Sequence, residues 1–146
     1  MIIQDGTSTV GIALREMGPI GTPGGGDLGL DIAATTAATV VGGPFMGRNN
    51  TVWIERDVWA RFLDDLHAFD RTRRGEVDLQ AMSPAEFRPT ILATDRARHV
   101  TAEGWVGRQY AGRAAAAYDR VCFRIEIDPS VLPQLVRELD SLAPAG

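Results

Sequence analysis

The chain contains no lysine; all 15 of its basic residues are arginine. That absence excludes Schiff-base chemistry, a lysine general base and the phosphate-gripping lysine of a P-loop. There is one cysteine, Cys122. A single thiol closes no intrachain disulfide and builds no cysteine metal cage, which suits a reducing compartment. Within the strand-like run VCFRIEI, Cys122 reads as a small buried hydrophobe. No apolar run approaches the roughly 20 residues that a bilayer span requires, so no membrane contact is expected. The start, MIIQDGTSTV, has neither the basic opening nor the apolar core of a signal peptide, and the expectation is a soluble cytoplasmic protein. The two histidines, His67 and His99, stand apart from any metal-ligand spacing, so no metal and no cofactor is expected. The net charge of −4 argues against nucleic acid as a ligand and is compatible with a basic protein partner.

What is present is an ordinary globular composition, 45% apolar and 23% charged over 146 residues. That length suits a single domain over residues 1–146 with a core of its own. Strand patterns run through Val10–Arg15, Leu28–Ala33, Ala37–Val41 and Thr51–Ile54, where apolar and polar residues alternate or β-branched residues cluster. The pattern then changes period. In ERDVWARFLDDLHAFD, Val58, Trp59, Phe62, Leu63, Leu66 and Phe69 fall within an arc of about 140° at 100° per residue, which predicts an amphipathic helix over about 56–70. Arg71, Arg73 and Arg74 suit its negative end, and Gly75 its exit. Strand patterns resume at Glu76–Met82, Phe87–Ala93, His99–Val106 and Val121–Ile127, with a hairpin at Asp95–Arg98. Gly107–Tyr118 reads as a looser connection whose alanine run could form a helical turn. IDPSVLPQLVRELDSL predicts a second helix over about 130–142, capped by Asp128 or Ser130.

The apolar positions of the second helix are those of the first plus 73. Two readings of this match stand. Any strand followed by an amphipathic helix produces something similar; alternatively, the chain is a pseudo-duplicated unit of strands closed by one helix. In either case the fold class is α+β: a twisted, mainly antiparallel sheet of about seven strands with both helices on its apolar face.

GPIGTPGGGDLGLDI has the glycines of a phosphate loop but no lysine, and a strand follows where a phosphate loop needs a helix N-terminus. GGGDLG fails as a dinucleotide fingerprint for the same reason. Residues 18–27 therefore read as a flexible connection or a hairpin, with Gly24–Gly26 at its tip. No serine lies in a GxSxG elbow. Asp64 and Asp65 are adjacent on a helix and point about 100° apart, so they form a solvated face and not an acid–base pair. His67 reads as a solvated surface residue, and His99 as structural or surface. Trp53, Trp59 and Trp105 are each expected in the core. Trp105, in EGWVGR, is also the candidate contact anchor if it is exposed.

The closing segment RVCFRIEIDPSVLPQLVRELDSL resembles the final strand and helix of bacterial immunity proteins of the WapI type. The likeness extends to VWIERDVWARFLDDLHAF, GEVDLQAM and ILATDRARHV, and covers about residues 40–142. It is a likeness of order and pattern. It implies a small cytoplasmic protein, with no catalytic residues, that binds and neutralises a cognate polymorphic toxin, often a nuclease. Acidic Asp57, Asp64 and Asp65 on the first helix, with Trp105, are then the candidate partner-binding residues. A small-molecule-binding or enzymatic domain using the sheet face is the first alternative. A structural subunit of a larger assembly is the second.

Overall fold

The computed structural model describes residues 1–18, 26–36, 45–95, 99–109 and 118–142. The switch from period 2 to period 3.6 produces four strands, a helix, four strands and a second helix. The first half holds β1 (Ile2–Gln4), β2 (Ser8–Met17), β3 (Leu28–Thr36), β4 (Phe45–Ile54) and α1 (Arg56–Thr72). The second holds β5 (Glu76–Asp78), β6 (Phe87–Ala93), β7 (Val100–Gln109), β8 (Tyr118–Ile127) and α2 (Leu132–Leu142). Each set of strands is its own four-stranded antiparallel sheet, in the order β1-β2-β3-β4 and β5-β6-β7-β8. The α+β class holds. The expected single sheet of about seven strands is corrected to two sheets of four. The short β1 carried too little alternation to be read from sequence. The anticipated strand at 37–41 lies outside the described residues, as do residues 19–25 of the glycine-rich stretch, 96–98 of the expected hairpin and 110–117 of the expected connection at 107–118, whose ends are instead paired within β7 and β8.

The ends of that stretch are described. Gly18 N donates to Asp27 O at 2.9 Å and Gly26 N to Gly18 O at 3.0 Å, so the ladder between β2 and β3 continues into it. Asp27 also has a distant role. Its Oδ1 accepts the backbone N–H of Arg56 at 2.9 Å, at the start of α1. Glu55, in the N-cap position, forms no side-chain cap bond, so Asp27 satisfies an otherwise orphan donor from 29 residues away. Before α2 the arrangement is a local turn: Asp128 Oδ1 accepts Ser130 N at 2.8 Å and Asp128 O accepts Val131 N at 2.9 Å, both ahead of the first helical residue, Leu132. Helix α1 stops where Arg73 turns left-handed (φ 51°) and its N–H reaches Phe69 O at 2.7 Å.

One core gathers the inner faces of both sheets and the apolar stripes of both helices. Leu28, Leu30, Ile32, Val52 and Ile54 meet Phe87, Val100, Ile125, Leu66 and Leu132, all with at most 1% exposure. Burying a side chain of this size contributes about 1.5–3 kcal/mol. The sheets approach each other closely at Gly47 of β4, where a Cβ would stand 2.7 Å from Val121 Cγ2. Beside it, buried Asn49 pins one sheet to the other. Its Nδ2 donates to Gly107 O at 2.8 Å, while its Oδ1 accepts from Thr51 N and the Thr51 hydroxyl. This is where the pairing of β3 with β4 shifts between Leu30 and Ile32, so a side chain serves a backbone carbonyl in place of the ladder.

The two halves are alike beyond strand order. Leu28 pairs with Ile54 as Val100 pairs with Ile127, and Leu30 with Val52 as Ala102 with Ile125. In the helices, Trp59, Phe62 and Leu66 are buried, and so are Leu132, Leu135 and Leu139, each 73 residues later. The helices pack against each other. His67 Nε2 and Asp140 Oδ1 meet at 3.0 Å, and these positions are also 73 apart. A residue that touches its own counterpart lies where a twofold-like axis passes. The repeated-unit reading therefore describes the topology and the buried positions.

Period 2 also settles three side chains. Phe123, Ile125 and Ile127 face inward, so Cys122 faces out and is exposed, against the expectation of burial. Trp59 is core, 3% exposed. Trp53 and Trp105 are only partly buried, which corrects the core placement of both: they lie on outer faces, with Arg15 and Arg120 over their rings at 5.5 and 4.7 Å from the centroids. Among the described residues no helix is long and apolar enough to cross a membrane.

Candidate functional site

Asp57, Asp64 and Asp65 all sit on the exposed side of α1, as the helical period requires. Of the three, Asp65 borders a groove of about 410 Å³ between α1 and the segment after β5, together with Glu55, Arg61, Asp78, Gln80 and Met82. Met82 is a large apolar side chain left 47% exposed at that groove. Asp78, on the outer face of β5, binds Arg88 of β6 (Nη2 to Oδ2, 3.0 Å) and accepts from the Thr90 hydroxyl at 3.0 Å. The carboxylate raises the guanidinium's pKa further above its ordinary value, through the hydrogen bond first and its charge second.

Arg88 in turn borders a second groove, of about 380 Å³, on the outer face of the second sheet. Trp105, Thr90, Glu103 and Arg124 also line it. The Trp105 indole is held in place: its Nε1 donates to Pro84 O at 3.0 Å and Arg120 covers its face. Its aromatic surface is thus fixed in orientation before any partner arrives, which lowers the ordering cost of a contact. The structure brings Asp65 and Trp105, 40 residues apart in sequence (105 − 65), to grooves joined through the Asp78–Arg88 pair. Asp57 and Asp64 extend the acidic side along α1 without lining either groove.

A third groove was not legible in the sequence. It lies where β1 passes the ends of β7 and β8 and the start of α2, and its volume is about 930 Å³. Asp5, Asp95, His99, Glu126 and Asp128 border it. They come from separate turns and strand ends, so no spacing marks them as a set. Partial burial opposes ionisation of Asp5, but bonds from the Thr7 hydroxyl and from the N–H groups of Thr7, Glu126 and Ser8 outweigh it and hold its pKa at about 2. The bond from Glu126 N to Asp5 Oδ2, 3.0 Å, ties the edge of β8 to the turn after β1. His99 Nδ1 lies 2.5 Å from Asp95 Oδ2, and that hydrogen bond, then the charges of Asp95 and Glu126, raise its pKa.

Among the described residues no group of three or more His, Cys, Asp or Glu is arranged to hold a metal ion. Compared with known protein families, curated proteins and solved structures, the chain matches none.

Proposed function

We propose that this chain is a non-catalytic binding protein that neutralises a cognate toxin domain in the cytoplasm. Its contact surface runs from the acidic side of α1 across Asp78–Arg88 to Trp105. One observation carries the reading: Asp65 and Trp105 border adjoining grooves, with an exposed methionine at one and an arginine-covered tryptophan at the other. Fixed aromatic surface beside charge is the usual chemistry of an interface anchor. Asp57, Asp64 and Asp65 add a negative margin suited to a basic partner such as a nuclease, speeding encounter more than adding affinity. The pattern likeness to WapI-type immunity proteins supports a toxin as that partner.

The test is co-expression with the toxin domain encoded beside this chain, scored by growth and by co-purification. Wild-type chain should restore growth. Trp105→Ala and Asp65→Arg should each weaken binding by about tenfold or more. Failure of the wild-type chain to rescue or co-purify would reject the reading.

A further inference from the structure

The groove beside α1 also runs along an open sheet edge. β5 is the outer strand of the second sheet, and its pairing strand is β6. The odd-numbered residues make that pairing. Ala93 N donates to Gly75 O, Leu79 N to Pro89 O at 3.0 Å and Ala81 N to Phe87 O at 3.2 Å. Backbone groups alternate in direction along a strand, so the N–H and C=O groups of Glu76, Asp78 and Gln80 point away from β6. Among the described residues none of these groups forms a hydrogen bond. Met82 continues the alternation, and its N–H reaches Trp53 O at 2.9 Å, two residues before Glu55 of the groove. The open edge therefore faces the groove, which Asp78 and Gln80 share with Val58, Phe62 and Asp65 of α1.

Open backbone groups on an edge strand are a template for another strand. Charge narrows what can add. Exposed Glu76 and Asp78 project along the edge, and the Glu55 and Asp65 carboxylates of the groove form no ion pair among the described residues. Arg61, across the groove, bonds through its Nε to Asp57 O. A second copy of this edge would meet like charge, whereas a cationic strand meets opposite charge.

We propose that β5 accepts an extended, cationic segment of a protein partner as a fifth strand of the second sheet, seated in the groove beside α1. Resting on the contact surface proposed above, this docking uses backbone as much as side chains. Bonds to the backbone of Asp78 and Gln80 supply affinity. Alternate side chains of the added strand turn toward α1, where Val58 and Phe62 offer apolar surface and Asp65 a carboxylate. The others lie beside Glu76 and Asp78.

The first probe is a fluorescein-labelled hexapeptide alternating arginine and valine, titrated with the full chain and read by fluorescence anisotropy. A hexapeptide alternating glutamate and valine is the comparison. The arginine peptide should bind, more weakly as salt rises, and the glutamate peptide about tenfold or more weaker. Saturating arginine peptide should slow amide exchange at Asp78 and Gln80 about tenfold or more, and leave Leu79, already bonded to Pro89, unchanged. Gln80→Pro removes an outward N–H where an edge strand tolerates proline. It should melt as wild type does and bind about tenfold more weakly. Gln80→Ala removes only the side chain and should bind as wild type does. No binding of the arginine peptide, equal binding of the two peptides, equal binding by the two Gln80 variants, or unslowed exchange at Asp78 and Gln80 overturns the proposal. Should Gln80→Pro fail to fold, the exchange result in the wild-type chain decides. The second probe is the toxin domain encoded beside this chain. Co-purification undiminished by Gln80→Pro overturns strand addition and leaves the toxin reading standing. Failure of the wild-type chain to co-purify, with the peptide results as expected, rejects the toxin reading and leaves strand addition standing.

Discussion

The two halves share an interior and differ in their outer faces. Inside, the pairs Leu28–Ile54 and Val100–Ile127 hold the same place, and both helices bury residues 73 apart. Outside, the first sheet presents Gly11, Ala13, Ala33 and the Asp31–Arg48 pair, whereas the second presents Arg88, Trp105, Glu103 and Arg124. The helices differ too: α1 has 17 residues and buries Trp59, Phe62 and Phe69, while α2 has 11 and buries leucines and a valine. The lesson is that a fold of this kind is set by the inward residues of each strand and helix. The outward residues are free to diverge, and recognition chemistry accumulates there.

The sharpest way to break this likeness is at matched core positions. Leu66→Ala and Leu139→Ala remove counterparts that are 0% and 2% exposed. Each should cost about 2–5 kcal/mol in urea unfolding, Leu66 the more because aromatic neighbours collapse less readily into the cavity. Since one core joins the halves, each variant should unfold in a single transition. Two transitions would show that the halves are independent.

A smaller effect is expected where the halves disagree. Ile32 and Gly104 hold the same place, four residues after Leu28 and Val100. Gly104 is obligatory because a Cβ there would lie 2.1 Å from Arg88 O. Gly104→Ala should therefore destabilise by about 2–3 kcal/mol by thermal or urea melting. A loss under half a kilocalorie would mean that β6 yields easily at Arg88–Pro89.

Next come the caps. Asp27→Ala frees the first N–H of α1, that of Arg56, and Asp128→Ala frees the Ser130 N–H in the turn before α2; each should cost about 1 kcal/mol. The Asp27 variant should also loosen the end of the glycine-rich stretch, seen as faster amide exchange at Arg56. The Asp128 variant should leave that amide unchanged, because its bond is confined to the turn before α2.

The smallest effect is electrostatic. Asp95 raises the pKa of exposed His99, while the corresponding hairpin of the first half has no such pair among the described residues. A raised folded-state pKa favours the protonated form in the fold. The pair therefore stabilises below the unfolded value of about 6.5, and the gain fades as pH rises through the higher folded value. His99 should titrate above 6.5 by NMR and return toward it in Asp95→Asn. Asp5 runs the other way: its contribution is held above its unfolded value of 3.8 and lost as pH falls toward about 2.

Both helices, the strand from Phe87 to Ala93 and the α+β class were legible, because periodicity is a local property of the chain. The repeat was legible only as an offset of 73. His67 meeting Asp140 turns that offset into geometry, because contact across the chain is not written in either segment. The exposed acids of α1 could be named from the helical arc. Trp105 could be named but was placed in the core, since a tryptophan beside glycines fits either face until the register is fixed. Its inward neighbours Ala102 and Val106 then put it outside. Nothing local marked the groove of Asp5, Asp95, Glu126 and Asp128, or the cap that Asp27 supplies to α1.

By itself the sequence determined which residues could be inside, where the period changed and which mechanisms its missing lysines exclude. The tertiary structure decided that the strands divide into two sheets, which face Cys122 and Trp105 occupy, and which distant carboxylates share a groove. The physical reason is range. Burial patterns follow from side chains a few residues apart, whereas sheet partition and surface chemistry follow from which strand edges find each other. In GPIGTPGGGDLGLDI that division falls within one stretch: its strand was readable, and the reach of Asp27 to Arg56 was not.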